Sequence, residues 1–189
     1  MATKIRKIRY LVCSTICHGK CEEVLVLQIQ SKNRIQLHPV SDKNGKKSIM
    51  INTLNNFLNT HYKTRNDYIK ANTDLINHDK KRMFDHKIFA IMDKDDAAEK
   101  AFENYKNKTM FSEYWWGKED YIYPIYFNPD MDTVFNKHGF KIDISRDKPS
   151  QYLRLLTTNY QKVIEMLVSL PKKESNIGEF IDYINKHKN

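Results

Sequence analysis

The chain predicts an α/β domain with a mostly parallel sheet flanked by helices and a helical C-terminal extension. Three observations carry that expectation. Short β-branched or aromatic runs alternate with segments of helical periodicity, the pattern of strands joined by crossover helices. The run at 87–92 is continuously apolar over Ile88, Phe89, Ala90 and Ile91, as in a strand covered on both faces. No repeat, low-complexity tract or linker divides the 189 residues, a length that suits one domain. The expected division is a core over 1–145 and a helical extension of the same domain over 146–189.

The elements follow in order. Residues 5–15 hold a β-branched apolar run and read as the first strand. Residues 20–32 read as a helix, with Glu22 and Glu23 in the first turn, where the helix dipole favours acids. Residues 34–40 are a plausible second strand, and Ser41 to Gly45 form a turn cluster. Ser48 reads as an N-cap, with Ile49, Ile51, Leu54, Phe57 and Leu58 at near-helical spacing behind it. Residues 63–86 are polar and fit either a further helix or an excursion from the core. The third strand is 87–92, a helix covers 97–108, and the fourth strand is 121–127. A short helix is expected over 131–138, one long amphipathic helix over 150–170 ended by Pro171, and a last helix over 177–187.

Composition narrows the partners. Lys and Arg number 32 against 23 Asp and Glu, a formal charge of +9, which favours contact with a polyanion such as nucleic acid. No stretch approaches the ~18 apolar residues of a membrane span, and no signal-peptide pattern is visible. The expected location is the cytoplasm, with no membrane partner and with Cys13, Cys17 and Cys21 as reduced thiols.

The strongest local signal is Asp93-Lys94-Asp95-Asp96 at the carboxyl end of the third strand, the sheet edge where open α/β folds bind ligands. Two carboxylates one residue apart can share a hard cation; a plain helix N-cap is the simpler alternative. Glu22 follows the first strand after a Gly19 turn, so in a parallel sheet it shares that edge with Asp93 and Asp95. Other motifs are weaker. Cys13, Cys17, Cys21 and His18 straddle a strand–helix junction, so they need not converge on a metal. Asn44-Gly45-Lys46-Lys47-Ser48 lacks the earlier glycine of a phosphate loop, because Val40 stands there. Tyr114-Trp115-Trp116, with Tyr121, Tyr123 and Tyr126, fits core packing before it fits base stacking.

Strand–Gly–x–x–Glu followed by strand–Asp–x–Asp resembles the Toprim fold, a Rossmann-like family of topoisomerases, primases and OLD-type nucleases. Asn128-Pro129, then Asp132, then His138 six residues on, is similar to the RloB-like branch, whose pattern is Ser-Asn-Pro-x-x-Glu, a short helix and a His. The resemblance spans roughly residues 5–140. His18 stands where the family has its first glutamate, Asp132 where it has a later one, and Phe127 where it has serine. The resemblance implies Mg²⁺- or Mn²⁺-dependent cleavage of a nucleic-acid phosphodiester, in a bacterial mobile-element or phage-defence setting. It implies a metal held by Glu22, Asp93 and Asp95, with Asp96, and His18 and His138 beside them in catalysis. Lys20 and Lys94 would meet phosphates, and Asn128 and Asp132 would support the site. The alternative is a degenerate Toprim domain that binds nucleic acid or a partner protein of a defence complex, with His18 as the feature favouring it.

Overall fold

Strand β1 (Leu11–Cys17) lies at the centre of a four-stranded sheet with β2 (Gln36–Val40) on one side and β3 (Ile88–Asp93) on the other; β4 (Ile122–Phe127) pairs with β3. Every pairing is parallel. The computed structural model describes residues 11–73, 76, 83, 86–95 and 97–187. The expected start of the first strand, 5–10, lies outside them, as does much of 74–85.

Side chains alternate across β3 as a pleated strand requires. Phe89 and Ile91 enter one core with Cys13, Cys17, Val26, Ile125 and Phe180. Ile88, Ala90 and Met92 enter the opposite core with Ile16, Leu54, Phe102 and Trp116. All six β3 residues are buried, which explains the unbroken apolar run. The first core is closed by α1 (Lys20–Asn33), α6 (Met131–Lys137), α7 (Lys148–Thr158), α8 (Tyr160–Ser169) and α9 (Ile177–Lys186). The second is closed by α2 (Leu54–His61), α3 (Arg65–Ala71), α4 (Glu99–Lys106) and α5 (Trp115–Lys118). The result is a Rossmann-like α/β fold with α6–α9 as a C-terminal helical extension.

Two helices depart from the sequence reading. The helix expected from Ser48 starts only at Leu54, after a 3₁₀ turn at Ile51–Thr53. The Ile49 N–H donates to the His18 carbonyl at 2.8 Å, which holds the chain extended beside β1. The long helix over 150–170 is two, α7 and α8, broken at Asn159 with φ −126° and ψ 26°. Thr157 and Thr158 bond back to the Leu153 and Arg154 carbonyls, a competition that weakens a helix interior. The break lets Tyr152 and Leu156 on one segment and Val163 and Leu167 on the other reach one core.

At the amino end of the sheet, Ser14, Tyr68 and His86 form a buried polar trio. The Tyr68 hydroxyl donates to Ser14 Oγ at 2.6 Å, so its oxygen can accept from His86 Nε2 at 3.0 Å. Burial, and then the charge of His38 on β2, lower the His86 pKa from 6.5 to about 4. The unfolded imidazole protonates near pH 6.5 and the folded one only near 4. Stability is therefore full above pH 6.5 and falls as the pH drops toward 4. The size of that loss is about 3 kcal/mol. Denaturant titrations from pH 7 to 4 should show this slope in the wild type and its loss in His86→Asn; parallel pH curves would contradict it.

Candidate functional site

The chain runs from β1 through α1 to β2 on one side, and from β3 through α4 to β4 on the other. The direction reverses between β1 and β3, so their carboxyl ends open a crevice at a topological switch point. His18 follows β1 there, and Asp93 ends β3.

Backbone bonds hold both positions. The His18 N–H donates to Ile91 O at 2.8 Å, continuing the β1–β3 ladder by one rung. Asp93 Oδ1 accepts the N–H of Met131, the first residue of α6, at 3.1 Å. Lys94 N–H donates to Phe127 O and Asp95 N–H to Pro129 O, both at 2.9 Å, tying this turn to the β4–α6 loop. Asp95 has φ 43°, a left-handed turn that aspartate tolerates better than most residues. His18 Nε2 then lies 3.3 Å from Asp95 Oδ2.

One ligand atom each from His18, Asp93 and Asp95 lies within 4.8 Å of the others. This spacing fits a shared divalent cation, whose oxygen and nitrogen ligands sit at roughly 2.0–2.6 Å from it. His18 Nδ1 is buried and has no hydrogen-bond partner among the described residues. Two carboxylates and an imidazole are also a chemically suitable donor set.

The floor is electrostatically loaded. Glu22 is 3% exposed and Asp93 9%. Burial raises the proton affinity of Glu22, opposed by the His18 charge and the Gly19 N–H. Burial also raises Asp93 well above the carboxylate range, reinforced by the negative charges of Glu22, Asp95 and Asp130. A cation would offset this repulsion.

The crevice has a volume of about 660 Å³, and its lining includes His18, Glu22, Asp93, Asp95, Asp132 and Lys148. Glu22 lies outside the three-residue cluster: its Oε2 accepts the Gly19 N–H at 2.8 Å and secures the turn beside His18. Asp96 lies outside the described residues. Asp132 accepts from Lys148 Nζ at 2.6 Å and from the Tyr152 hydroxyl at 2.8 Å. Lys148 thus brings α7 to the acid edge, a contribution the sequence reading missed because no local motif links a remote helix start to this edge.

Other expected residues take different places. Lys20 lines the crevice, with its ammonium on Glu23 at 2.6 Å. Lys94 turns to Glu99 at 2.6 Å and lies over the Phe102 ring, outside the crevice lining. Asn128 Nδ2 donates to Lys173 O at 2.9 Å, bracing the β4–α6 loop. His138 caps the far end of α6 and meets Glu174 at 2.8 Å, so the fold does not bring it to the acid cluster. Cys13 and Cys17 are core residues; burial raises all three thiols, Cys21 to about 12. Tyr114 stacks on the buried Trp116 with ring centres 4.7 Å apart, and the Trp115 indole N–H donates to Tyr62 O, which makes this cluster packing.

No protein-family model, curated protein or solved structure matches this chain. Among the described residues, no helix is long and apolar enough to cross a membrane. The fold and cluster define a Rossmann-like α/β protein with a His/Asp group suited to a divalent metal. That combination is consistent with a Toprim-like catalytic fold in general and with a metal-dependent catalytic or binding function.

Metal binding to the folded state should raise thermal stability. At free Mn²⁺ near 100 times Kd the gain is about 2.7 kcal/mol, or roughly 5–10 °C for a domain of this size. Calorimetry should show this rise in the wild type and lose most of it in Asp93→Ala and Asp95→Ala. Equal rises in all three would place the ion elsewhere.

Proposed function

We propose that the crevice hydrolyses a nucleic-acid phosphodiester with Mn²⁺ or Mg²⁺. The observation carrying this reading is the convergence of His18, Asp93 and Asp95 at the sheet's switch point. The +9 charge supports a polyanionic substrate. The imidazole tilts the preference toward Mn²⁺, because Mg²⁺ sites rely more strictly on oxygen donors.

In this reading His18, Asp93 and Asp95 hold the metal. A bound divalent ion supplies Lewis-acid charge to the phosphate oxygens. Glu22 fixes the Gly19 turn and so the position of His18. Lys20 and Lys148 place positive charge in the crevice for the flanking phosphates, and Asp132 aims Lys148. Hydrolysis adds water across one P–O ester bond and releases a phosphomonoester and a hydroxyl end. Asn128, Pro129 and His138 align with the RloB-like branch, and that resemblance supports a mobile-element or phage-defence setting. In this setting Asn128 and His138 act through the loop and helix they brace.

One observation favours a second reading. His18 Nε2 and Asp95 Oδ2 at 3.3 Å already form a pair that needs no metal, as expected of a degenerate domain that binds nucleic acid or a partner protein without cutting.

A cleavage assay on single- and double-stranded DNA and RNA with Mn²⁺ or Mg²⁺ separates the two. Loss of several kcal/mol of charge stabilisation predicts at least about a 100-fold fall in rate for Asp93→Ala and Asp95→Ala. Wild-type protein that binds these substrates yet leaves them intact with every metal would support the binding reading.

A further inference from the structure

Beside the acid crevice lies a second hollow of about 430 Å³, lined by Lys47, Ser48, Met50, Asn56, Phe57 and His61 among others. Ser48 lines both hollows, so a chain leaving the crevice on this side passes Ser48 to enter the second. We infer that this hollow is a subsite for an unpaired nucleotide flanking the scissile phosphate. The subsite rests on the nucleic-acid reading of the crevice and adds to it a preference for single-stranded substrate.

Its chemistry matches that ligand. Phe57 and His61, one helical turn apart on α2, have ring centres 4.6 Å apart and an interplanar angle of 51°. Met50 is 40% exposed and gives the hollow an apolar wall, as Ile144, Leu153 and Val168 expose apolar surface elsewhere. Aromatic and thioether groups offer a base a sequence-tolerant stacking surface. The exposed Asn56 side chain can donate to or accept from a base edge.

The lip supplies the backbone charge. Lys43, Lys46 and Lys47 are exposed on one short loop between the crevice and the hollow. Lys47 meets Asp42 at 3.6 Å, while Lys43 and Lys46 make no ion pair among the described residues. The loop has a fixed seat. Gly45 has φ +77°, and a Cβ there would come within 2.9 Å of the Lys20 Cα, so only glycine lets the loop press against the start of α1. The Ile49 bond to His18 O anchors its other end. One loop thereby couples the crevice wall to the hollow.

The test is fluorescence anisotropy in EDTA, where no metal-dependent cutting intervenes. The probes are a fluorescein-labelled mixed-sequence DNA single strand of about 20 nucleotides and its duplex. Met50→Ser/His61→Ala should weaken single-strand binding at least about fivefold, the lower end of one lost base stack, and leave the duplex within about twofold. Lys43→Gln/Lys46→Gln should reduce the single-strand salt slope by roughly 1.4, while Lys162→Gln on α8 leaves it unchanged. No change in single-strand affinity with Met50→Ser/His61→Ala, or an equal loss on both probes, overturns the subsite. Protein that shows the expected pattern but cleaves nothing keeps the subsite and loses the hydrolase reading. Protein that cleaves but lacks the pattern loses the subsite alone.

Discussion

The parallel pairing of β1 with β3 is the constraint on which the site depends. Its last rung, the His18 N–H on Ile91 O, brings the residue after β1 beside the end of β3. β1 crosses over toward β2 and β3 toward β4, which leaves a gap between their carboxyl ends. The acid crevice occupies that gap. A register slip of one residue would send Phe89 and Ile91 to the face now filled by Ile88 and Ala90, so the two apolar cores lock the rung that places His18.

The same position makes the crevice electrostatically costly. Buried carboxylates are disfavoured by lost hydration and by each other, and here Glu22 and Asp93 share one floor. The fold offsets this with the Gly19 and Met131 amides, with His18, and with Lys148 on Asp132. Those partners do not remove the repulsion on Asp93 from Glu22, Asp95 and Asp130. A divalent ion between His18, Asp93 and Asp95 would. With an imidazole rather than a carboxylate at position 18, such a site carries one fewer negative charge and still has a donor atom there.

The parts legible in the sequence are those where local pattern and global position agree. The apolar run 88–91 is a central strand because both its faces are covered, and Glu22 belongs in the first turn of α1 because the Gly19 N–H there needs an acceptor. Asp93 and Asp95 were visible because they stand at the carboxyl end of that strand, Asp93 as its last residue. What escaped was set by contacts distant in sequence. The back-bonding of Thr157 and Thr158 weakens the helix locally, but the break at Asn159 is fixed where both halves reach one core. Lys94 sits between two acids, yet Glu99 and the Phe102 ring draw it away. His138 has family-like spacing, but a helix of seven residues separates it from the Asp93 contact, and Glu174 holds it there. Lys148 gave no signal, since only tertiary packing carries α7 to Asp132.

The central claim is that His18, Asp93 and Asp95 are ligands of one ion. Anomalous diffraction at the manganese edge from crystals grown with Mn²⁺ tests it directly. The account predicts a single strong peak within coordination distance of His18 and of both aspartates, with the imidazole drawn off Asp95. A crystal at saturating Mn²⁺ with no peak there, and His18 still paired to Asp95, would contradict it.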